Sequence, residues 1–276
     1  MDLPWLCLFA FLAGFVDSIV GGGGLIQLPA LLVFLPTAPV PLVFGTNKLS
    51  SICGTSVAVL QYARRVAIPW RSILPAAVSA FLFSALGVRV LQSVPSAFLK
   101  PLTLVLLIAV AIYTYAKKNL GDLHAPKFAA NHERSLAIAT GVIIGFYDGF
   151  FGPGTGSFLI FIFIGLLGFD FLTASASSKV LNFATNLAAV IVFAARGDVL
   201  YHYALPMGAC NIAGAVCGTR LALLKGNKFV RWIFLMVVAV MIARFGYEQF
   251  FKKAGSPAAS RARAHVHQVD NSRRGR

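Results

Sequence analysis

Four ionisable side chains stand in stretches of sequence that are otherwise apolar: Asp17, Lys48, Asp148 and Lys179. A charged side chain at the centre of a bilayer costs about 2.5–3.5 kcal/mol even on lenient scales, so each must be paired, hydrated, protonated or engaged by a ligand. The two acids are 131 positions apart (148 − 17), and so are the two lysines (179 − 48). Asp17 runs into Gly21, Gly22, Gly23 and Gly24, and Asp148 into Gly152, Gly154, Thr155 and Gly156. Glycines remove side chains where a helix breaks, which lets backbone N–H groups face a ligand. The positive end of the half-helix that follows favours an anion. A carboxylate at such a break can carry a coupling proton or hold a lysine in an ion pair.

A polar stripe accompanies each lysine: Asn47, Ser51 and Thr55 in the first half, Ser178, Asn182 and Asn186 in the second. The i, i+4, i+8 spacing puts each trio on one helical face, as the wall of a wet pathway requires. Two ammonium groups, two helix N-termini and a ladder of neutral hydrogen-bonding groups describe a site for a small oxyanion such as sulfite, a sulfonate or a carboxylate. Packing is the competing account. Glycine clusters also let membrane helices approach closely, Asn and Ser bond between helices, and Asp with Lys can form a fixed pair. The recurrence of the whole set in both halves weighs towards a site. Arg89 and Arg220, near helix ends, read as side chains snorkelling to the interface.

The elements that must position these residues follow from composition. Apolar residues make up 58 % of the chain and charged residues 12 %, against roughly 25 % charged in a soluble domain. Mean hydropathy is +0.79. Crossing a hydrocarbon core of about 30 Å takes roughly 20 residues of helix. Segments near Leu3–Val20, Val43–Tyr62, Ser72–Leu91, Ala97–Ala116, Ser135–Phe151, Thr173–Ala195, His202–Leu224 and Phe229–Phe251 meet that length. Leu25–Leu35 and Ser157–Phe169 are too short and follow the glycine motifs directly, so they read as re-entrant or half-membrane helices. The runs are continuous rather than alternating, which selects helices over barrel strands. The first segment lacks a basic leader, carries Asp17 and aligns with an internal segment, so it is expected to stay in the mature protein.

The 131-residue offset extends well past the motif, placing Leu74-Pro75 on Leu205-Pro206 and Gly87-Val88-Arg89 on Gly218-Thr219-Arg220. Duplication inside a very apolar chain is the mark of a transporter whose two helical units enclose a site. The expected fold class is all-α: a polytopic membrane protein of two repeated units, with about eight transmembrane helices and two broken or re-entrant segments. The units are 1–116 and 135–251, joined by a basic linker 117–134 and followed by a basic, disordered tail 252–276.

The net charge of +15 gathers in that linker and tail. The positive-inside rule places both in the cytoplasm, and eight crossings would bring the N-terminus there too. Arg220, Lys225, Lys228 and Arg231 would then lie outside, against the rule, which leaves an odd number of crossings per half and inverted repeats open. The tail has no aromatic interleaving and suits anionic lipid headgroups rather than nucleic acid. Cys7, Cys53, Cys210 and Cys217 have neither metal-site nor disulfide spacing. No cofactor, metal or catalytic constellation is expected, so the chain does not read as an enzyme.

The pattern Gly14-Phe15-Val16-Asp17 … Gly21-Gly22-Gly23-Gly24 … Gly45-Thr46-Asn47-Lys48, echoed by Gly145-Phe146-Tyr147-Asp148 … Gly152-Pro153-Gly154-Thr155-Gly156, resembles the sulfite exporter TauE/SafE family of bacterial membrane transporters. The resemblance implies a multi-pass inner-membrane permease for sulfur-containing or other organic anions. It also implies that the motif positions Asp17, Gly21 to Gly24, Asn47, Lys48, Asp148, Gly152, Gly154 and Lys179 serve that function. The expected activity is therefore alternating-access transport of a small anion, with Lys48 and Lys179 neutralising it and Asp17 or Asp148 carrying a proton or holding the lysines. A passive anion channel is the alternative.

Overall fold

The computed structural model describes residues 2–95 and 130–247. The expected span Ala97–Ala116, most of the linker and the basic tail lie outside the described residues. Those described are helical with no strand among them.

The chain opens with α1, Leu3–Val20, started by a proline in its first turn, where the missing N–H costs nothing. After the glycine break come α2 (Gly24–Phe34), α3 (Val40–Ala63) and α4 (Trp70–Ser93). The second half brings α5 (Ala130–Phe150) and α6 (Thr155–Ile162), the latter running into a π-helical turn at Phe163–Leu167. Then follow α7 (Phe171–Ala195) and α8 (Tyr201–Tyr247). The Asp170 carboxylate caps α7 by accepting from the Thr173 N–H at 2.8 Å.

Among the described residues, four helical stretches are long and apolar enough to cross a membrane: Leu3–Val20, Trp70–Ser93, Phe171–Ala195 and Tyr201–Gly226. The two expected short helices are present as Gly24–Phe34 and Thr155–Leu167. With 11 residues, α2 rises about 17 Å, roughly half a hydrocarbon core. Helix α3 matches α4 in length yet holds no stretch apolar enough to qualify, and its polar residues Thr46, Asn47, Lys48 and Ser50 are buried within the protein. Outward positions are apolar instead, with Leu82, Ile143 and Leu205 more than half exposed.

Two expected boundaries shift. Helix α5 already includes Ala130–Arg134, inside the segment read as linker, and so extends beyond the apolar run expected from Ser135. The expected span His202–Leu224 and the described part of Phe229–Phe251, which ends at Tyr247, appear as one helical element interrupted at Gly226, whose φ of 66° and ψ of −162° are open to glycine and not to residues with a side chain.

Helix α1 packs on α8 and α5 packs on α4, each pair joining one half of the chain to the other, while α3 and α7 cross between them. Close approach explains these pairings. A Cβ on Gly14 would strike the Asn211 carbonyl, and one on Gly145 would come within 2.6 Å of the Ala80 Cα. Likewise Gly87 abuts the Phe146 carbonyl and Gly218 the Phe15 carbonyl. The residues of each contact lie 131 positions from those of its counterpart. Small residues at these crossings let backbones touch, which is how helices associate in a medium as apolar as their own side chains.

Candidate functional site

Both glycine motifs break their helices. Helix α1 ends at Val20 and α2 starts at Gly24, with Gly21 and Gly22 at φ 73° and 94°. Helix α5 ends at Phe150 and α6 starts at Thr155, with Gly152 and Gly154 at φ 89° and 86°. The breaks meet: a Cβ on Gly156 would sit 2.6 Å from the Gly21 Cα, and one on Gly24 would touch Pro153 at 3.4 Å.

The four ionisable groups pair across the halves. Lys48 on α3 donates to the Asp148 Oδ2 at 2.7 Å, and Lys179 on α7 donates to the Asp17 Oδ2 at 3.0 Å. The lysines are therefore already neutralised, and the four formal charges sum to zero. The pairs differ in access. The side chains of Lys48 and Asp148 are 4 % and 5 % exposed, whereas Lys179 is fully buried and its partner Asp17 is 24 % exposed. Asp17 also accepts from the Gly23 N–H at 3.1 Å through its other oxygen.

Between the breaks lies a cavity of about 380 Å³, a figure that includes its open mouth. Asp17, Lys48 and Asp148 line it, with Asn47 and Ser51 from α3 and Asn182 and Asn186 from α7. Gly22, Gly24, Gly152, Gly154, Thr155 and Gly156 form the rest of the wall. The amide oxygens of Asn47 and Asn182 are buried without a hydrogen-bond partner among the described residues. Turned about, either amide would present N–H donors instead.

Four residues singled out from sequence stand behind the wall. Gly21 packs on Gly156, Gly23 packs on Asp17 and the Ala13 carbonyl, and Lys179 is closed off beneath Asp17. Ser178 is fully buried and donates back to the Ser175 carbonyl at 2.8 Å. Thr55, at the end of the first polar stripe, likewise donates to the Ser51 carbonyl. Two residues of each stripe thus line the cavity, Asn47 with Ser51 and Asn182 with Asn186, while Thr55 at the end of the first stripe and Ser178 at the start of the second do not.

Support comes from residues the motif did not mark. The last carbonyls of α1 would be orphaned at the break. Instead Asp17 O accepts from the Gly21 N–H (2.9 Å), Ser18 O from the Tyr62 hydroxyl (2.8 Å), Ile19 O from Ser175 (2.6 Å) and Val20 O from Ser157 (3.2 Å). Asn211 on α8 donates to the Gln27 side chain at 3.0 Å and to the Ala10 carbonyl at 3.1 Å, and Gln27 reaches the Asn47 carbonyl at 3.4 Å. Their one sequence signal is a hydroxyl or amide inside an apolar run.

Apolar helices, two of them broken, around a buried and charge-balanced polar cavity define a multi-pass membrane transporter. The family model described as Sulfite exporter TauE/SafE matches residues 6–245, and this chain belongs to that family. Among its relatives, a "Probable membrane transporter protein ORF9" of a Sinorhizobium species is 40 % identical, over 87 % of this chain and 90 % of the relative. A "Probable membrane transporter protein" of Haemophilus influenzae is 36 % identical, over 87 % of this chain and 92 % of its own length. "Probable membrane transporter protein YfcA" of Escherichia coli K12 is 34 % identical, over 87 % of both. No solved structure matches the chain.

Proposed function

We propose that this transporter moves a small oxyanion, with sulfite and organic sulfonates as the first candidates, through the cavity between the two glycine breaks by alternating access. The observation that carries the reading is the crosswise pairing of Lys48 with Asp148 and Lys179 with Asp17 around one polar space. A charge-balanced site has no free cation for an anion. Protonation of a partner acid would release one; both acids line the cavity, and Asp17 is the more exposed of the two. On this reading an anion charge enters with a proton on Asp17, Lys179 turns to the anion, and Asn47, Ser51, Asn182 and Asn186 supply neutral hydrogen bonds. Transport of a monoanion would then be electroneutral.

The two helical units would be related by a pseudo-two-fold axis through the cavity, with about eight crossings in a bacterial inner membrane and a cytoplasmic C-terminus. A transporter is preferred to a passive anion channel because the relatives are named transporters.

The test is a substrate screen in proteoliposomes, with sulfite, taurine-like sulfonates and small carboxylates, with and without a pH gradient. Accumulation of one anion driven by the proton gradient, without net charge movement, is the expected result. Flux of all anions down their own gradients, indifferent to pH and far above carrier rates, would replace the reading with a channel.

A further inference from the structure

We infer that the two broken hairpins are unequal mechanical parts. The first, built from the C-terminal end of α1 with α2, is a fixed wall, and the second, from the C-terminal end of α5 through α6, is the part that moves to open and close the cavity. The inference rests on the alternating-access reading above and adds to it which side of the site moves.

The first hairpin is tied to its surroundings by directional bonds. Tyr62 of α3 and Ser175 of α7 hold the Ser18 and Ile19 carbonyls. Asn211 of α8 bonds Gln27 of α2 and Ala10 of α1 together. All are buried, and buried hydrogen bonds of this kind are costly to leave unmade.

At the corresponding positions, 131 residues away, the second hairpin has no such side-chain donors. Phe193 stands for Tyr62, Phe44 for Ser175, Phe158 for Gln27 and Ala80 for Asn211, and none of these side chains can donate a hydrogen bond. Phe44, Phe151 and Phe193 instead belong to one apolar cluster, against which Tyr147 and Phe150 pack. Apolar contact is non-directional, so it tolerates displacement that a hydrogen bond does not.

The second hairpin is also braced within itself. The Tyr147 hydroxyl donates to the Pro153 carbonyl at 2.7 Å, and its ring meets those of Phe151 and Phe158 edge-on at 5.9 and 5.5 Å. It can therefore move as a unit. Glycines able to absorb backbone rotation stand at both ends of its helix, Gly154 at φ 86° and Gly168 at φ 79°. Thr37 occupies the place corresponding to Gly168 in the first half. Where the hairpins touch, Gly21 faces Gly156, a seam without side chains to lock it. Movement would break the Ser157 bond that crosses it to the Val20 carbonyl at 3.2 Å and would have to release or carry along the Lys48–Asp148 pair, whose counterpart Lys179–Asp17 holds the first hairpin as well.

Amide hydrogen exchange of the full chain in lipid nanodiscs tests this with no ligand needed. Peptides covering residues 15–27 should exchange about tenfold more slowly than those covering 146–158, since local opening tracks the bonds that must break. Addition of sulfite should alter the second segment more than the first, whose Asp17, Gly22 and Gly24 line the cavity. The double variant Tyr62→Phe, Ser175→Ala should speed exchange of the first segment towards that of the second. Equal or reversed protection in the wild-type protein would overturn the inference even if transport is demonstrated. Absence of transport for every anion tried would defeat the functional reading, while the unliganded comparison would still decide this one.

Discussion

Lys48 bonds the acid of the other half of the chain: its ammonium lies 2.7 Å from Asp148, and Asp17, the acid of its own half, is taken by Lys179 at 3.0 Å. Each pair thus ties one half to the other at the cavity wall, and any substrate that recruits a lysine must first displace a carboxylate.

Neutralising one member of the buried pair should destabilise the protein more than neutralising both. Lys48→Met alone leaves Asp148 charged and 5 % exposed, and breaking a buried pair costs about 3–5 kcal/mol. Lys48→Met with Asp148→Asn should recover most of that stability while transport stays lost. Thermal unfolding in detergent, followed by uptake in proteoliposomes, separates the two effects. Equal stability of the single and double variants would mean that the pair is not formed.

Proton coupling should reside in Asp17. Asp17→Asn keeps a hydrogen-bonding side chain beside Lys179 but cannot exchange a proton, so anion binding should persist while a pH gradient no longer drives uptake. Asp148→Asn, at the closed pair, should lower stability instead. If the Asp17→Asn protein still accumulates anion against its gradient with protons as the driving ion, the acid serves only as a lysine partner.

Asn182→Ala should weaken anion binding by about tenfold with the fold intact, the scale of one lost hydrogen bond in a partly dehydrated site. Asn182 lines the cavity and its amide has unused bonding capacity. Isothermal titration against the substrate identified in the screen measures the change. Unaltered affinity would remove Asn182 from the site.

Gly156→Ala should be far more damaging than Gly197→Ala. A methyl group on Gly156 would come within 2.6 Å of the Gly21 Cα, backbone that cannot give way without parting the breaks, and within 2.8 Å of the Asn182 side-chain nitrogen. Overpacking of this kind costs about 1–3 kcal/mol or more. A methyl group on Gly197 meets nothing within 4 Å and suffers only the strain of φ +74°, on the order of 1 kcal/mol. Melting temperatures of the two variants rank the effects.

Much of the site was written in local chemistry. The glycine clusters that follow each acid allow its helix to break, because the left-handed conformations at Gly21, Gly22, Gly152 and Gly154 are open to glycine and strained for other residues. The i, i+4, i+8 spacing of Asn47 and Ser51, and of Asn182 and Asn186, follows from helical pitch and put these residues on the cavity side. Partner choice was not local. The sequence offers each lysine two equivalent acids, and its periodicity is the same whether pairing stays within a half or crosses between halves. Only the tertiary arrangement, in which the two breaks meet and share one cavity with α3 and α7, brought each lysine to the acid of the opposite half. The same holds for Tyr62, Ser175 and Asn211, whose single polar groups in apolar runs carry no mark of the distant carbonyls they hold. Helical propensity and pitch act over one or two turns, whereas which buried donor meets which orphaned acceptor is settled when the helices come together and every polar group in the bilayer must find a partner.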